Sequence, residues 1–365
     1  MPRSVCSGRR PAQGGLKILL PALWLLLAAG CATQTERPAP PQPSPTVASG
    51  VAASTPRTAA EQDIIAQADS LLTRAPRPLK TISTADRLPD DPVAMASQAA
   101  RNDWPGMQAL ALAAGITGEA RYGAALQDYF AAWVAVFEPG FNPISETPFH
   151  FVALAYEAGS QHLTAETRAD TQRLFRRMAE GYLNPANTRG STGRNNWQSH
   201  RVKLVTALAF ALEDADLMAG ARLVFRRQVA TNIAADGKVL DFSERDALHY
   251  VVYSLEPLLV AALIARQHGE DWYGYESRQG SSLTGALEWL APYARGDKIH
   301  EEFKNTRNSF DRQRAAAGLP RFSGLWDASG ALVCYQLAAR FDARWLPLAS
   351  RLGPTPAWLA LGLKI

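Results

Sequence analysis

The chain has 365 residues, of which 47% are hydrophobic and 20% are charged, so it has enough apolar side chains for one large core. This composition excludes a wholly disordered chain and a collagen-like one. The formal net charge is +4, but residues 1–31 alone contain four basic residues and no acid. Because the remainder is neutral, bulk electrostatic capture of a nucleic acid is not expected.

The N-terminus has the pattern of an export signal. Basic residues precede the apolar run 18–30, which is too short to span a bilayer as a stable helix. The run ends at Cys31 in a stretch that resembles a bacterial lipoprotein cleavage box, Leu27-Ala28-Ala29-Gly30-Cys31. Residues 1–30 are then a signal peptide and Cys31 is the lipid-modified first residue of the mature chain. Ala32 after it implies a lipid-anchored periplasmic protein of the outer membrane. Ordinary cleavage and an uncleaved anchor are the alternatives.

Residues 31–60 are rich in Pro, Ala, Ser and Thr, and they are expected to form an extended tether. A single folded domain is predicted for residues 61–365. Cys334 stands in an apolar stretch and is expected to be a small buried hydrophobe. With Cys6 removed and Cys31 acylated, no disulfide framework is expected.

Apolar residues recur at helical spacing in nearly every segment of this domain, and connections rich in Gly, Pro, Asn and Asp separate the segments. Only Lys238–Phe242 alternates as a strand would. No repeat of fixed period is visible, so an all-α (α/α) toroid, an incomplete barrel of antiparallel helix pairs, is favoured over a solenoid. The predicted helices are Glu61–Arg74, Asp91–Asn102, Gly118–Phe137, Thr147–Ala158, Ala165–Leu183, Asn196–Glu213, Asp214–Ala230, Arg245–Gln267, Ser282–Ala294, His300–Ala317 and Ala328–Ala339.

Several catalytic signatures do not occur in the sequence. There is no H-E-x-x-H, no Cys/His zinc spacing, no Gly-rich phosphate loop and no G-x-S-x-G turn. The six histidines are dispersed, with no pair at metal-ligand spacing. We therefore expect neither a metal nor a cofactor.

One polar segment directly precedes a buried apolar run. Residues 193–201 contain Asn195, Asn196, Trp197, Gln198 and His200. If Asn196 is the first residue of the helix, His200 lies one turn further along on the same face. The alternative is that an asparagine only caps the helix and the turn is solvated.

A second polar segment spans residues 241–257. At about 100° per residue, one face of a helix over this segment carries a polar stripe of Arg245, His249, Tyr253 and Glu256. Tyr250 lies on another side and is expected to pack. The alternative is an ordinary amphipathic helix, although a solvated face usually carries Lys and Glu rather than a guanidinium, an imidazole and a phenol.

These residue types suit proton abstraction next to a carboxylate, followed by loss of the β-linked oxygen. In a 4-linked uronic acid polymer, Arg and Asn donors can neutralise the carboxylate in the enolate-like state. Tyr and His can then act as base for H5 and as acid for O4. Where H5 and O4 lie on one face of the sugar, one Tyr could perform both transfers.

Both segments resemble the signature stretches of the alginate lyase superfamily, and the resemblance covers most of residues 90–340. It implies an α/α toroid and metal-independent β-elimination of a uronate polysaccharide such as alginate, polymannuronate or glucuronan. Asn196 matches the family's carboxylate-neutralising Asn, and Tyr253 matches its catalytic Tyr. The matching stretches read Asn195-Asn196-Trp197-Gln198-Ser199-His200-Arg201 and Arg245-Asp246-Ala247-Leu248-His249-Tyr250, followed by Tyr253-x-Leu255-Glu256-Pro257-Leu258.

Two departures indicate a sister branch of the well-known alginate lyases, which form polysaccharide lyase family 5. Trp197 stands where those enzymes place the His, so His200 is the first choice for the catalytic histidine and His249 the second. Arg245 stands eight residues before Tyr253 rather than seven. The predicted catalytic residues are Asn196, His200, Arg245 and Tyr253, and the predicted substrate-binding residues are Asn195, Trp197, Gln198, His249, Tyr250 and Glu146.

The sequence therefore predicts a monomeric lyase whose partner is an anionic uronate polysaccharide and which meets the membrane only through its N-terminal lipid. Two other functions stay open on the sequence alone. One is a glycoside hydrolase that uses two carboxylates among Glu146, Asp241, Asp246 and Glu256. The other is a non-catalytic lipoprotein that binds exopolysaccharide.

Overall fold

The computed structural model describes residues 56–188 and 190–363. The predicted signal peptide, Cys31 and most of the predicted tether lie outside these residues. The first helix begins at Ala59, two residues before the predicted domain boundary. Thr58 caps it: the Thr58 hydroxyl accepts the N–H of Glu61, and the Glu61 carboxylate accepts the N–H of Thr58.

The described residues form helices and no strand, with three isolated β-bridges. The helices are α1 Ala59–Leu72, α2 Pro92–Arg101, α3 Asp103–Thr117, α4 Ala120–Val136, α5 His150–Gly159, α6 Ala165–Leu183, α7 Asn196–Ala211, α8 Ala215–Asn232, α9 Leu240–Arg245, α10 Leu248–Gln267, α11 Leu283–Ala294, α12 Ser309–Ala316, α13 Leu332–Phe341, α14 Leu346–Leu352 and α15 Ala357–Gly362.

The helices form two layers. Helices α3, α5, α7, α10 and α13 contact one another in succession and form the inner layer, while α4, α6 and α8 follow one another outside it. The inner helices are buried on nearly every side, with 14 of 16 residues buried in α7 and 15 of 20 in α10. Helix α10 is long and apolar enough to span a bilayer by composition alone, but 83% of its most apolar window is buried inside the protein. This architecture confirms the predicted (α/α) toroid with a single domain.

Helix α3 was not predicted from the sequence. It is an inner helix, and ten of its fifteen residues are buried. A helix that is surrounded by protein has no polar stripe, so the periodic pattern on which the prediction depends is missing. Pro105 and Gly106 in its first turn are residues that usually indicate the end of a helix, although proline is tolerated in a first turn.

Three predictions of local structure are wrong. The predicted strand Lys238–Phe242 is one antiparallel bridge between Ile233 and Val239, followed by α9. The predicted helix Arg245–Gln267 is interrupted at Asp246, whose φ of 52° is left-handed, so that Arg245 ends α9 and α10 begins at Leu248. The predicted helix His300–Ala317 is helical only from Ser309 to Ala316. The segment before Ser309 is extended at Glu301, which forms an antiparallel β-bridge with Leu325.

Candidate active site

The N-terminal ends of α7 and α10 border a cleft made of two adjoining cavities. Lobe A, with a volume of about 390 Å³, is lined by Asn195, Asn196, Trp197, Arg245, Tyr250, Asn308, Arg314 and Phe322 among others. Lobe B, of about 220 Å³, is lined by Glu256, Glu302, Arg321, Trp326 and Asp327 among others. His249 and Tyr253 line both lobes.

The cleft continues beyond lobe A. A third cavity of about 630 Å³ over residues 83–91 shares Ala85, Asp86 and Phe310 with lobe A. Lobe A thus shares lining residues with a cavity on either side, an arrangement that suits an extended polymer.

The two asparagines at the start of α7 have different roles. Asn195 is the N-cap, since its side chain accepts the N–H of Trp197 at 3.1 Å. Asn196 donates its backbone N–H at 3.0 Å and its amide N–H at 2.6 Å to Asp241 Oδ1. Asn232 donates to the other Asp241 oxygen at 2.9 Å. Burial raises the pKa of Asp241, and the Asn196 hydrogen bonds oppose that rise. Asp241 thus fixes the Asn196 amide at the lining of lobe A.

Tyr253 lies between the two candidate histidines. Its ring centroid is 4.3 Å from that of His200 and 6.0 Å from that of His249, and the His249 and Tyr253 planes differ by only 9°. His249 is half-buried and lines both lobes, whereas His200 is only 3% exposed and lines neither. The structure therefore places His249 at the cleft and His200 behind Tyr253.

A short chain of hydrogen bonds holds His200. The Lys203 ammonium donates to the Thr147 hydroxyl at 3.0 Å, and that hydroxyl lies 2.6 Å from His200 Nδ1. The Thr147 hydroxyl thus links the Lys203 ammonium to the His200 ring and fixes the orientation of that ring. Burial, with Lys203 nearby, lowers the pKa of His200 well below its ordinary value, so the ring is neutral.

The electrostatics of the cleft favour a neutral base and a neutral acid at rest. Burial, assisted by the cations Arg321 and Arg314, lowers the pKa of His249 to about 4. Burial raises the pKa of the Tyr253 phenol, while Arg101 opposes that rise. At neutral pH an unprotonated imidazole therefore stands beside a protonated phenol.

Arg245 is bound by an acid from a distant segment. Its Nε and Nη2 donate to the two oxygens of Asp311, and Nη2 also donates to the Tyr250 hydroxyl at 2.6 Å. Arg314 donates to the same hydroxyl at 2.9 Å. Tyr250 is 6% exposed and packs as predicted, but its hydroxyl joins two guanidinium groups along lobe A.

Two predicted substrate-binding residues do not reach either lobe. Glu146 is fully buried and accepts the N–H of Gly140 at 2.7 Å and the hydroxyl of Tyr182, and burial raises its pKa to about 7. Gln198 lines a separate cavity of about 550 Å³, because two residues after Asn196 it lies about 200° around the helix. Of the four carboxylates considered for a hydrolase, Glu256 alone lines the cleft.

Several groups of the site were missed by sequence reasoning. Arg314 and Asn308 line lobe A, and Arg101 acts on Tyr253 through its charge. Arg314 fell inside the predicted helix His300–Ala317, but nothing in that pattern distinguished it from a surface arginine. Among the described residues no three His, Cys, Asp or Glu side chains cluster as metal ligands would.

Solved structures with the same fold are alginate lyases. An alginate lyase from Bacteroides ovatus matches with a TM-score of 0.63 at 17% sequence identity, over 83% of this chain and 92% of that one. A variant of alginate lyase A1-III complexed with tetrasaccharide matches with a TM-score of 0.56 at 17% identity, over 83% of this chain and 94% of that one. Alginate lyase A1-III from Sphingomonas species A1 matches with a TM-score of 0.50 at 18% identity, over 71% and 88% of the two chains.

The fold and the cleft thus define a protein of the alginate lyase architecture. The sequence model of the alginate lyase family matches residues 51–300, and the chain belongs to this family. No curated protein matches the chain by sequence. Family and fold together make it a polysaccharide lyase, as the sequence predicted.

Proposed function

We propose that this lyase cleaves 4-linked uronic acid polymers by β-elimination, with Tyr253 as the acid and His249 as the base. The observation that carries the proposal is the position of these two side chains. Both line the junction of lobes A and B, where a bond between two sugars would lie. Each is in the protonation state that its role requires before the reaction.

The uronate to be attacked occupies lobe A. Its carboxylate meets the Asn196 amide and the guanidinium groups of Arg245 and Arg314, and these donors stabilise the charge that develops when H5 leaves. His249 takes the H5 proton, and the C–H electron pair forms the C4–C5 double bond. The C4–O4 bond breaks, and O4 takes the Tyr253 proton. The product carries a 4,5-unsaturated uronate.

His249 replaces His200 as our choice of base. A base must come within hydrogen-bond reach of the proton that it removes, and His200 lies behind Tyr253 outside both lobes. We assign His200 the role of fixing the Tyr253 ring through their contact. Where H5 and O4 lie on one face of the sugar, Tyr253 can perform both transfers, and His249 then serves as the nearby proton acceptor.

The test measures the ultraviolet absorbance of the unsaturated uronate with polymannuronate, glucuronan and polyguluronate. Tyr253→Phe removes only the phenolic proton, so kcat should fall by about 10²–10⁴-fold with KM little changed. Tyr273→Phe is the matched control, since Tyr273 stacks on Phe341 outside both lobes, and it should keep full activity. Full activity in Tyr253→Phe, or reducing ends without absorbance in the unsubstituted enzyme, would overturn the proposal.

We propose further that the enzyme is anchored to the outer membrane through a lipid on Cys31, on the periplasmic side. The cleavage-box sequence supports this proposal. Cys31→Ser expressed in a bacterial host should fail to incorporate labelled palmitate and should leave the membrane fraction. Labelling that persists in this variant would exclude Cys31 as the modified residue.

A further inference from the structure

The two lobes that meet at Tyr253 differ in charge. Lobe A is lined by the cations Arg245 and Arg314 and by a single acid, Asp86. Lobe B is lined by three carboxyl groups and a single guanidinium, namely Glu256, Glu302, Asp327 and Arg321. A polymer that carries a carboxylate on every sugar would place one of them in each lobe.

We propose that lobe B accepts an uncharged sugar, so that the preferred substrate carries a neutral sugar on O4 of the uronate. This inference rests on the proposed function. Because Tyr253 protonates O4 and lies between the lobes, the sugar attached through O4 extends away from lobe A. That sugar therefore enters lobe B.

Arg321 is the one Lys or Arg side chain in the lining of lobe B that can balance the negative charge of its carboxyl groups. Asp327 accepts the N–H and the hydroxyl of Ser329 at 2.9 and 2.6 Å, which keep its pKa low and the group ionised. Glu302 accepts the backbone N–H groups of Leu248 and His249 at 2.7 and 3.1 Å.

Glu256 lies one helical turn beyond Tyr253 and is half-buried. Lys203 attracts it but is only 5% exposed and lines neither lobe. Burial raises the pKa of Glu256, and it raises that of Glu302 to about 7. A carboxylate that entered lobe B would therefore lie among these crowded acids and near the ionised Asp327, which disfavours a second carboxylate there.

A neutral sugar meets none of this repulsion. Its hydroxyl groups are donors, and the carboxylates of Glu256 and Asp327 are acceptors. The half-buried Trp326 offers an apolar ring face in the same lobe, against which the C–H face of a sugar can stack. Lobe B thus has hydrogen-bond acceptors and an apolar surface, but Arg321 is the one Lys or Arg side chain in its lining that could pair with a second carboxylate.

The test compares two polymers that share the attacked sugar. Glucuronan has glucuronate on O4 of glucuronate, whereas hyaluronan has N-acetylglucosamine there. The formation of unsaturated product should give a kcat/KM at least about tenfold higher for hyaluronan. Deacylated gellan, with glucose on O4 of glucuronate, should likewise give a higher kcat/KM than glucuronan.

Charge removal in lobe B provides the matched variants. Asp327→Asn keeps the cap on Ser329 and loses the charge, so it should raise the glucuronan-to-hyaluronan ratio of kcat/KM several-fold, and Glu256→Gln should act in the same direction. Asp297→Asn, an exposed residue paired with Arg295, should leave the ratio unchanged.

The possible failures are distinguishable. Efficient cleavage of glucuronan, with a ratio that Asp327→Asn does not move, would overturn the inference and leave the proposed elimination intact. The absence of unsaturated product from every polymer would overturn the proposed function, and the inference with it.

Discussion

Arg245 and Asp311 stand 66 residues apart in the sequence and form a two-pronged ion pair beside the cleft, with Nε and Nη2 of the arginine on the two carboxylate oxygens. The Asp311 side chain is fully buried and that of Arg245 is 14% exposed. The pair fixes the guanidinium at the lining of lobe A, and it connects the C-terminal end of α9 to α12.

Breaking this ion pair from one side should destabilise the protein. Arg245→Met removes both guanidinium hydrogen bonds from the buried Asp311 and leaves the carboxylate with the longer ion pair to Arg314, at 3.7 Å. The free energy of unfolding should therefore fall, by up to about 3–5 kcal/mol. Arg245→Met combined with Asp311→Leu should recover most of that loss, while kcat/KM stays low in both because lobe A lacks the cation. Urea unfolding and the absorbance assay measure the two effects.

The exposed pair of Arg295 and Asp297 is the control for this experiment, and Arg295→Met should leave unfolding unchanged. If the double variant were as unstable as Arg245→Met alone, the lost compensation of the Asp311 charge would not be the cause. If it recovered full activity, Arg245 would have no part in binding the carboxylate.

On the acid side of the pH profile, the fall of kcat/KM should follow the protonation of His249. Its pKa of about 4 is due to burial and then to Arg321 and Arg314, so kcat/KM should fall only as the pH drops towards 4. Arg321→Gln removes a positive charge that disfavours the imidazolium. The pKa should therefore rise, and the acid limb should move towards neutral pH.

Arg321→Lys keeps the charge and should keep the acid limb near its original pH. An acid limb that stays in place in both variants would assign the titration to another group. It would also remove the support for His249 as the base.

The two histidines should respond differently to the same substitution. His249→Gln should lower kcat by about 10²–10⁴-fold with little loss of stability, because it removes a base that faces the cleft. His200→Gln disturbs a buried ring between Thr147 and Tyr253, so it should lower the melting temperature and reduce kcat by a smaller factor. The reversed pattern would give the role of base to His200.

Glu146 should make the protein more stable in acid. Its pKa is about 7 in the folded chain, because of burial, against an ordinary 4.5. The folded state thus prefers the protonated form, and this contribution is fully present below pH 4.5 and is lost as the pH rises through 7. A difference of one in pKa between the folded and unfolded states corresponds to about 1.4 kcal/mol. The difference between an ordinary 4.5 and about 7 therefore makes the loss of stability about 3 kcal/mol.

Glu146→Gln cannot ionise and lacks this dependence. Relative to the unsubstituted protein, its free energy of unfolding should therefore rise by about 3 kcal/mol between pH 4.5 and pH 8. Urea unfolding at the two pH values measures the difference. A constant difference between the two proteins across this range would contradict the raised pKa.

Local patterns were sufficient for the helical class and for the start of α7. Asn195 and Asn196 precede a buried apolar run, and α7 begins at Asn196 with Asn195 as its cap. Such signals are local, because a cap bonds to backbone groups two or three residues away. The assignment of Asn196 and Tyr253 to one site came from the resemblance to the alginate lyases rather than from these local patterns, and both residues line lobe A.

The same local patterns could not decide which groups face the substrate. Only the packed structure puts Asp246 in a left-handed conformation, which takes Arg245 off the helix that carries Tyr253. Only packing places His200 behind Tyr253, brings Arg314 to the cleft and puts Asp311 behind Arg245. Helical periodicity determines which residues share a face, whereas the neighbours of that face come from segments far away in the chain, and their burial and charge determine what the face can do.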